Sequence, residues 1–396
     1  MRHGGSRNEE RSRQEIRRMH SGGEVGSSTT GGRRTMQTQT RTFEDVLRLE
    51  EDRAQRYFDV DQEARGITPA LSFHESGVVD EYHPARLMIN LPNAGTQRFD
   101  FGRYGQDQFF QKVGIPIVYA RKCLRTSGMD HELLSDIDGW LKRSDETWKF
   151  RCSSYRDRDF GSRVRGVVSE RYVPFDNVDL LKALEPIVRE RDLQIQSLRQ
   201  DDGHMNLRLL MPKPIEVGDF VDPEGSEMFA GYVVRNSEIR LAAVSVAAMV
   251  WRLICTNGLI APAGDISVFR QIHYGQPAER VRAHLPEAIR EVDRQQGVMF
   301  TAYAEASHLI FTLAEAVKIA ERISKAADLN KTEIAELTKV ISEDAARTLP
   351  AESEELQEIG GFTLVNAMTR YAHSDGMPFQ KQDKLEAEVG RFVLSQ

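Results

Sequence analysis

Three cysteines in 396 residues, Cys123, Cys152 and Cys255, lie far apart with no CxxC pair. That scarcity argues against a disulfide framework and against a cysteine-built zinc centre, and it fits a reducing cytoplasm. No stretch approaches the roughly 18 consecutive apolar residues that a membrane span requires. The opening residues are polar and arginine-rich, without the apolar core of a signal peptide. The sequence also lacks HxE, HExxH and GxSxG spacings, any Gly-Lys-Ser or Gly-Lys-Thr, and any GxGxxG. Zincin, α/β-hydrolase, P-loop and dinucleotide-binding chemistry therefore have no foothold here, and neither a cofactor nor a metal is expected. The ten histidines are scattered, and a lone histidine is more often a surface or core residue than a ligand. Asp201-Asp202, Asp219 and Asp222 fall in apparent loops, where turn chemistry accounts for aspartate without catalysis.

What is present is globular usage, 40% hydrophobic and 29% charged, with a net charge of -7 that is unevenly spread. Residues 1–41 carry nine Arg against four Glu, whereas residues 301–396 carry ten Lys and Arg against sixteen Asp and Glu. Residues 1–41 are also rich in Gly, Ser, Thr and Gln with almost nothing apolar to pack, and they read as a disordered basic tail. Residues 42–147 read as mainly helical. The spacing predicts helices over 42–65, over 106–124 with a break at Gly114-Ile115-Pro116, and over 130–143, with a strand at Leu87-Met88-Ile89.

Residues 148–276 read as an α+β core. A strand at Val164–Ser169 leads to a helix capped by Asp176 or Asn177 and running to about Arg191. Strands at Leu193–Leu198, Met205–Met211 and Met228–Asn236 then form an antiparallel β-meander. The apolar run Val244–Cys255 reads as a helix stopped by Asn257-Gly258, with Asn236-Ser237-Glu238 capping its start and a short strand following at 267–273. Residues 277–396 read as helical throughout. The fold class is thus α+β: a helix, β-meander, helix core, a helical C-terminal region and a basic tail.

Ser169-Glu170-Arg171-Tyr172-Val173-Pro174-Phe175-Asp176-Asn177 resembles the phage/plasmid-like family catalogued as domain of unknown function nine hundred and thirty-two. So do Gly231-Tyr232-Val233-Val234-Arg235-Asn236-Ser237-Glu238, Cys255-Thr256-Asn257-Gly258-Leu259-Ile260 and Phe269-Arg270-Gln271-Ile272-His273-Tyr274-Gly275, in the same order and spacing. The resemblance covers about residues 100–395, with Arg240 standing where the pattern has a small residue. It brings no assigned activity and implies an accessory role in the DNA biology of a mobile element. The element order is also similar to that of single-strand annealing proteins, a likeness of topology alone.

The strongest chemical signal runs from Trp148 to Tyr172. Lys149, Arg151, Arg156, Arg158, Arg163, Arg165 and Arg171 face only Asp157, Asp159 and Glu170, with Trp148, Phe150, Tyr155, Phe160 and Tyr172 interleaved. Guanidinium groups that hold phosphates, next to rings that stack on bases, make a surface for single-stranded nucleic acid. The competing reading puts the aromatics in a core and the arginines in solvent. Arg235, Arg240 and Arg252 flank the third strand and the expected apolar helix, and could line a groove between them. The function expected on these grounds is non-catalytic binding of single-stranded DNA, as in a recombination or annealing protein that works as a homo-oligomer. The alternative is a protein-interaction accessory factor, for anti-defence or replication, that uses its acidic C-terminal helices.

Overall fold

The computed structural model describes residues 42–72, 86–95, 97–126, 128–154, 162–215, 228–252, 257–260, 269–271, 277–348, 358–374 and 376–396. The tail expected over 1–41 lies outside them. Helix α1 (Phe43–Ala54) starts at a capping box, in which the Thr42 hydroxyl accepts from the Asp45 N–H and the Asp45 carboxylate accepts from the Thr42 N–H. Strands β1 (Tyr57–Glu63), β2 (Thr68–Ser72), β3 (Arg86–Asn90) and β4 (Arg98–Phe101) follow. Next come helices α2 (Arg103–Val113), α3 (Ile117–Cys123) and α4 (Met129–Leu141), then strands β5 (Thr147–Ser154) and β6 (Ser162–Ser169). The six strands form one sheet in the order β1-β5-β6-β4-β3-β2, antiparallel except for the parallel β4–β6 pair. Phe99, Phe109, Phe110, Leu133, Ile137, Trp148 and Phe150 bury together as the core of this unit.

Helices outweigh strands in the N-terminal region, but the helix expected over 42–65 ends at Ala54, and β1, β2 and β4 join the expected strand at Leu87-Met88-Ile89. Strand β1 escapes a reading by hydropathy because its sequence, Tyr-Phe-Asp-Val-Asp-Gln-Glu, alternates around carboxylates. It is an edge strand whose only fully buried apolar residue is Val60. Its pairing with β5, and that of β4 with β6, carries the first sheet across the boundary drawn at residue 148.

Helix α5 (Asn177–Arg191) opens at Asp176, which forms a capping box with Asp179, and ends at Asp192 in the left-handed conformation. Strands β7 (Gln194–Gln200), β8 (Met205–Pro214), β9 (Met228–Asn236), β10 (Val244–Arg252) and β11 (Asn257–Ile260) make an antiparallel sheet in the order β11-β10-β9-β8-β7, and β12 (Phe269–Gln271) pairs with β10. The helix expected from Val244 is thus strand β10. Val244, Val246, Ala248 and Val250 bury in the main core, while Ala247, Met249 and Trp251 bury in a separate cluster with Leu210, Phe229 and Val233. A strand covered on both faces is apolar at every position, so it carries no period that distinguishes it from a buried helix. Two further readings fall with that helix. Asn236-Ser237-Glu238 opens a strand-to-strand connection, and Asn257-Gly258 opens β11, in register with Arg252 and Trp251.

The remaining helices are α6 (Pro277–Ser307), α7 (Leu313–Ala326), α8 (Lys331–Thr348), α9 (Gly361–Ala372) and α10 (Phe379–Leu394). The long helical run expected over 278–327 is interrupted by β13 (Ile310–Thr312), which pairs with β14 (Glu358–Gly360). Helix α6 packs on β10 and α5, and α10 packs on α6, α7, α9 and β11. The mixed α+β class holds. Among the described residues no helix is long and apolar enough to cross a membrane.

The two sheets meet where β6 touches the β9–β10 connection. A Cβ added at Gly166 would lie 2.6 Å from Ile239 Cβ and 3.0 Å from Gln108 Oε1. Gly166→Ala is therefore expected to destabilise the protein by about 1–3 kcal/mol, the usual range for overpacking a filled interface. A lowered urea midpoint is the readout, and an unchanged midpoint would mean that this contact yields freely.

Candidate functional site at the junction of the sheets

Two of the stretches that carry the family resemblance are 60 residues apart in sequence and converge in space. Asn236, at the end of β9, donates through Nδ2 to the Phe175 carbonyl at 3.1 Å and to Asn177 Oδ1 at 2.9 Å. The Asn177 backbone N–H, in the first turn of α5, donates to Glu238 Oε1 at 2.9 Å. The Tyr172 hydroxyl donates to the Glu238 carbonyl at 2.9 Å, and Arg151 Nη1 donates to the same oxygen at 2.5 Å. Arg165 forms an ion pair with the Glu238 carboxylate and lies 3.7 Å from the centre of the Tyr57 ring.

Arg151 is the second hub. Its Nε donates to Asp59 on β1 at 3.0 Å, and its Nη1 and Nη2 reach the two carboxylate oxygens of Asp176 at 2.7 and 3.1 Å. This two-pronged geometry is the strongest that a guanidinium makes with a carboxylate. Glu50 on α1 joins the edge of the network through Asn177 Nδ2 at 3.4 Å and Gln200 Nε2 at 3.0 Å. Elements α1, β1, β5, β6, α5, β7 and the β9–β10 connection thus share one buried polar cluster.

Burial works against the charge on Arg151, but Asp176 and Asp59 more than offset it and hold the guanidinium well above its ordinary range. Burial pushes the Glu238 carboxyl up; Arg165 pulls it back, and nearby Asp176 adds to the upward push. Burial also raises the Tyr57 hydroxyl, to about 12. The Arg151 guanidinium and the Tyr57 hydroxyl are thus both held well away from neutral pH. The arrangement is chemically a clamp: each guanidinium is matched by carboxylates, and Glu238 is held from three directions.

A comparable junction lies between the second sheet and α10. Arg208 on β8 pairs with Glu386, which is fully buried, and His373 Nε2 sits 2.6 Å from Glu386 Oε1. Arg235 reaches Asp383 at 2.8 and 2.7 Å, and Asn206 reaches the same carboxylate at 3.1 Å. Burial alone would raise the Glu386 carboxyl. Arg208 and His373 outweigh it and bring it down to about 2.

The cations expected to form one binding surface are distributed very differently. Arg151 and Arg165 are buried in the clamp. Lys149 pairs with Asp61 at 3.0 Å, Arg163 pairs with Asp202 at 3.3 Å, and Arg171 is exposed. Trp148, Phe150 and Tyr172 are buried, as the competing reading has it. Tyr155, Arg156, Arg158 and Phe160 lie outside the described residues. The groove between a third strand and a helix does not exist, because β9 and β10 are hydrogen-bonded neighbours. Arg235 is tied to Asp383, Arg252 ends β10 opposite Met228, and Arg240 is exposed with φ at +65°. That left-handed conformation is costly for a residue with a Cβ, which gives a physical reason for a small residue in the pattern at this position.

Sequence reasoning missed Asp59, Glu238 and Glu386. The Asp59-Val60-Asp61 spacing resembles that of some metal sites, yet these carboxylates face Arg151 and Lys149. Among the described residues no group of three His, Cys, Asp or Glu is placed to hold a metal ion. One signal for Arg151 was available: in the Trp148-Lys-Phe150-Arg-Cys152 alternation it falls on the face opposite the aromatic core.

Breaking the Arg165–Glu238 pair from one side leaves a buried charge. Arg165→Ala and Glu238→Ala are each expected to cost about 3–5 kcal/mol in chemical unfolding, and a loss below about 1 kcal/mol would remove the clamp from this account. For Glu386 the folded-state value lies below the ordinary 4.5, so its contribution is complete above about pH 4.5 and is lost as the pH falls towards 2. Glu386→Gln should flatten that part of the stability–pH curve, measured as unfolding midpoints between pH 5 and about 2; an unchanged slope would contradict the assignment.

The model of the family described as Domain of unknown function (DUF932) matches residues 164–391, from within β6 to near the end of α10. No curated protein and no solved structure matches the chain. The match takes in Arg165, Asp176, Glu238, Arg208 and Glu386, whereas Asp59 and Arg151 precede it. With more than half of its length matched, the chain belongs to the DUF932 family.

Proposed function

We propose that this member of the DUF932 family is a non-catalytic protein that binds single-stranded nucleic acid, and that it serves a phage or plasmid in DNA annealing or recombination. The observation that carries the reading is the stem of the β5–β6 hairpin. Ser154 and Ser162 are paired in register, so the two ends of the seven-residue stretch between them are neighbours in the sheet. Those seven include Tyr155, Arg156, Arg158 and Phe160. Below them Arg151 and Arg165 are locked into the clamp, which gives the segment a rigid base. The arginines alternate with Asp157 and Asp159, so stacking of bases on the two rings contributes more of the affinity than net charge does. The resemblance to a family of mobile elements supports an annealing role that leaves base edges free to pair.

The test is fluorescence anisotropy of labelled single-stranded DNA, duplex DNA and RNA over a salt series, with Arg156→Ala/Arg158→Ala and Tyr155→Ala/Phe160→Ala variants. Single strands should bind in preference to duplex. The log-log salt slope should lie between about -0.7 and -1.4, corresponding to one or two phosphates neutralised. The aromatic variant should lose more affinity than the arginine variant. Absence of single-strand binding at low salt would reject the proposal and favour a protein partner for the acidic C-terminal helices.

A further inference from the structure

Tryptophan is scarce in this chain, with three residues, and two of them are where tryptophan usually lies: Trp148 is 1% exposed and Trp251 5%. Trp140 is 56% exposed. It lies one position before the end of α4, at the margin of the stripe formed by Leu133, Ile137 and Leu141, and it faces a cleft instead of the core. The cleft has a volume of about 210 Å³ and lies between the C-terminal ends of α2 and α4; Lys112, Val113, Trp140, Arg143, Ser144 and Trp148 line it. Two indoles, Trp140 and Trp148, and two cations, Lys112 and Arg143, are thus among its lining.

Those cations are only lightly engaged. Arg143 donates from Nη1 to the Gly139 carbonyl at 2.8 Å and has no carboxylate partner among the described residues. Lys112 is 3.9 Å from Glu146, the loose end of the ion-pair range, and Glu146 already accepts from the Trp148 indole N–H at 2.8 Å. Pockets that enclose a whole drug-sized ligand usually have about 300–1,000 Å³. A smaller, open cleft beside a half-exposed indole suits a single planar ring, with its anionic group left at the mouth.

We infer that this cleft holds one nucleotide of a single strand, the base stacked on Trp140 and its phosphate met by Lys112 and Arg143. The inference rests on the proposed strand binding and adds a second contact, on a different element from the 155–161 segment. An indole face accepts any base, so the site discriminates little by sequence. It distinguishes single strand from duplex, because a base inside a duplex has no free face to offer.

The full chain provides its own probe, because the other two tryptophans are buried. Titration with oligothymidylate, and separately with thymidine monophosphate, is followed by tryptophan emission, with strand binding measured in parallel by anisotropy. Quenching is expected with both ligands in the unmodified chain and is expected to fall in Trp140→Phe to what Trp148, the other indole at the cleft, contributes. Trp140→Ala should weaken strand binding about 5- to 150-fold, the range found for loss of one base–aromatic stack. Lys112→Glu/Arg143→Glu should weaken it without touching the ring, which guards against a folding defect in the alanine variant. Strand binding by anisotropy with no change in emission and no effect of Trp140→Ala would overturn this site while leaving the proposed function in place. No binding in either readout would overturn both.

Discussion

The carboxylate of Glu238 is buried where the two sheets meet, and its position depends on atoms from elements far apart in sequence. Arg165 neutralises it, the first turn of α5 donates to it through the Asn177 N–H, and Arg151 and Tyr172 hold the carbonyl of the same residue. A buried charge with no partner is costly enough that these groups must be present together. Those contacts hold the β9–β10 connection against β6 and against the first turn of α5, and Arg151 brings β1 and β5 into the same cluster through Asp59. Ion pairs of this kind add little net stability relative to an apolar core. What this one supplies is registration of one sheet on the other.

Glu386 is the instructive contrast. Both carboxylates are buried and both face an arginine, yet their protonation is shifted in opposite directions. Glu238 has Asp176 nearby, which adds like charge to the effect of burial. Glu386 has both Arg208 and His373 around it, and their attraction exceeds the penalty of burial. The junction between the second sheet and α10 is accordingly the more acid-sensitive of the two, and it is also where Asp383 holds Arg235. Two acidic residues of the C-terminal region, Asp383 and Glu386, are thus engaged with cations of the second sheet.

The same accounting bears on nucleic-acid binding. A run of seven cations in 25 residues is a strong electrostatic signal only if the charges point outward, and two of the seven are consumed inside the clamp while two more are paired at the surface. The proposed contacts rest instead on rings and a few arginines: the 155–161 segment on its hairpin, and Trp140 with Lys112 and Arg143. Both are consistent with a protein that meets a single strand by stacking more than by charge.

The α+β class, the helix from Asn177, strands β8 and β9, and helices α2 to α4 near the first core are legible in the sequence, because each carries a period or a cap that acts locally: Asp176 as a cap, Gly114 as a stop, the apolar stripe of Leu180, Leu181, Leu184 and Val188. The family is legible for the same reason, since its stretches are contiguous in sequence. Only the tertiary structure decided β1, an edge strand with almost no apolar side; β10, apolar on both faces and so without period; and the roles of the arginines. Whether Arg151 meets a phosphate or Asp176 depends on which carboxylates the fold delivers to it. Asp59 and Asp176 approach from elements 92 and 25 residues away, a distance over which local pattern carries no information.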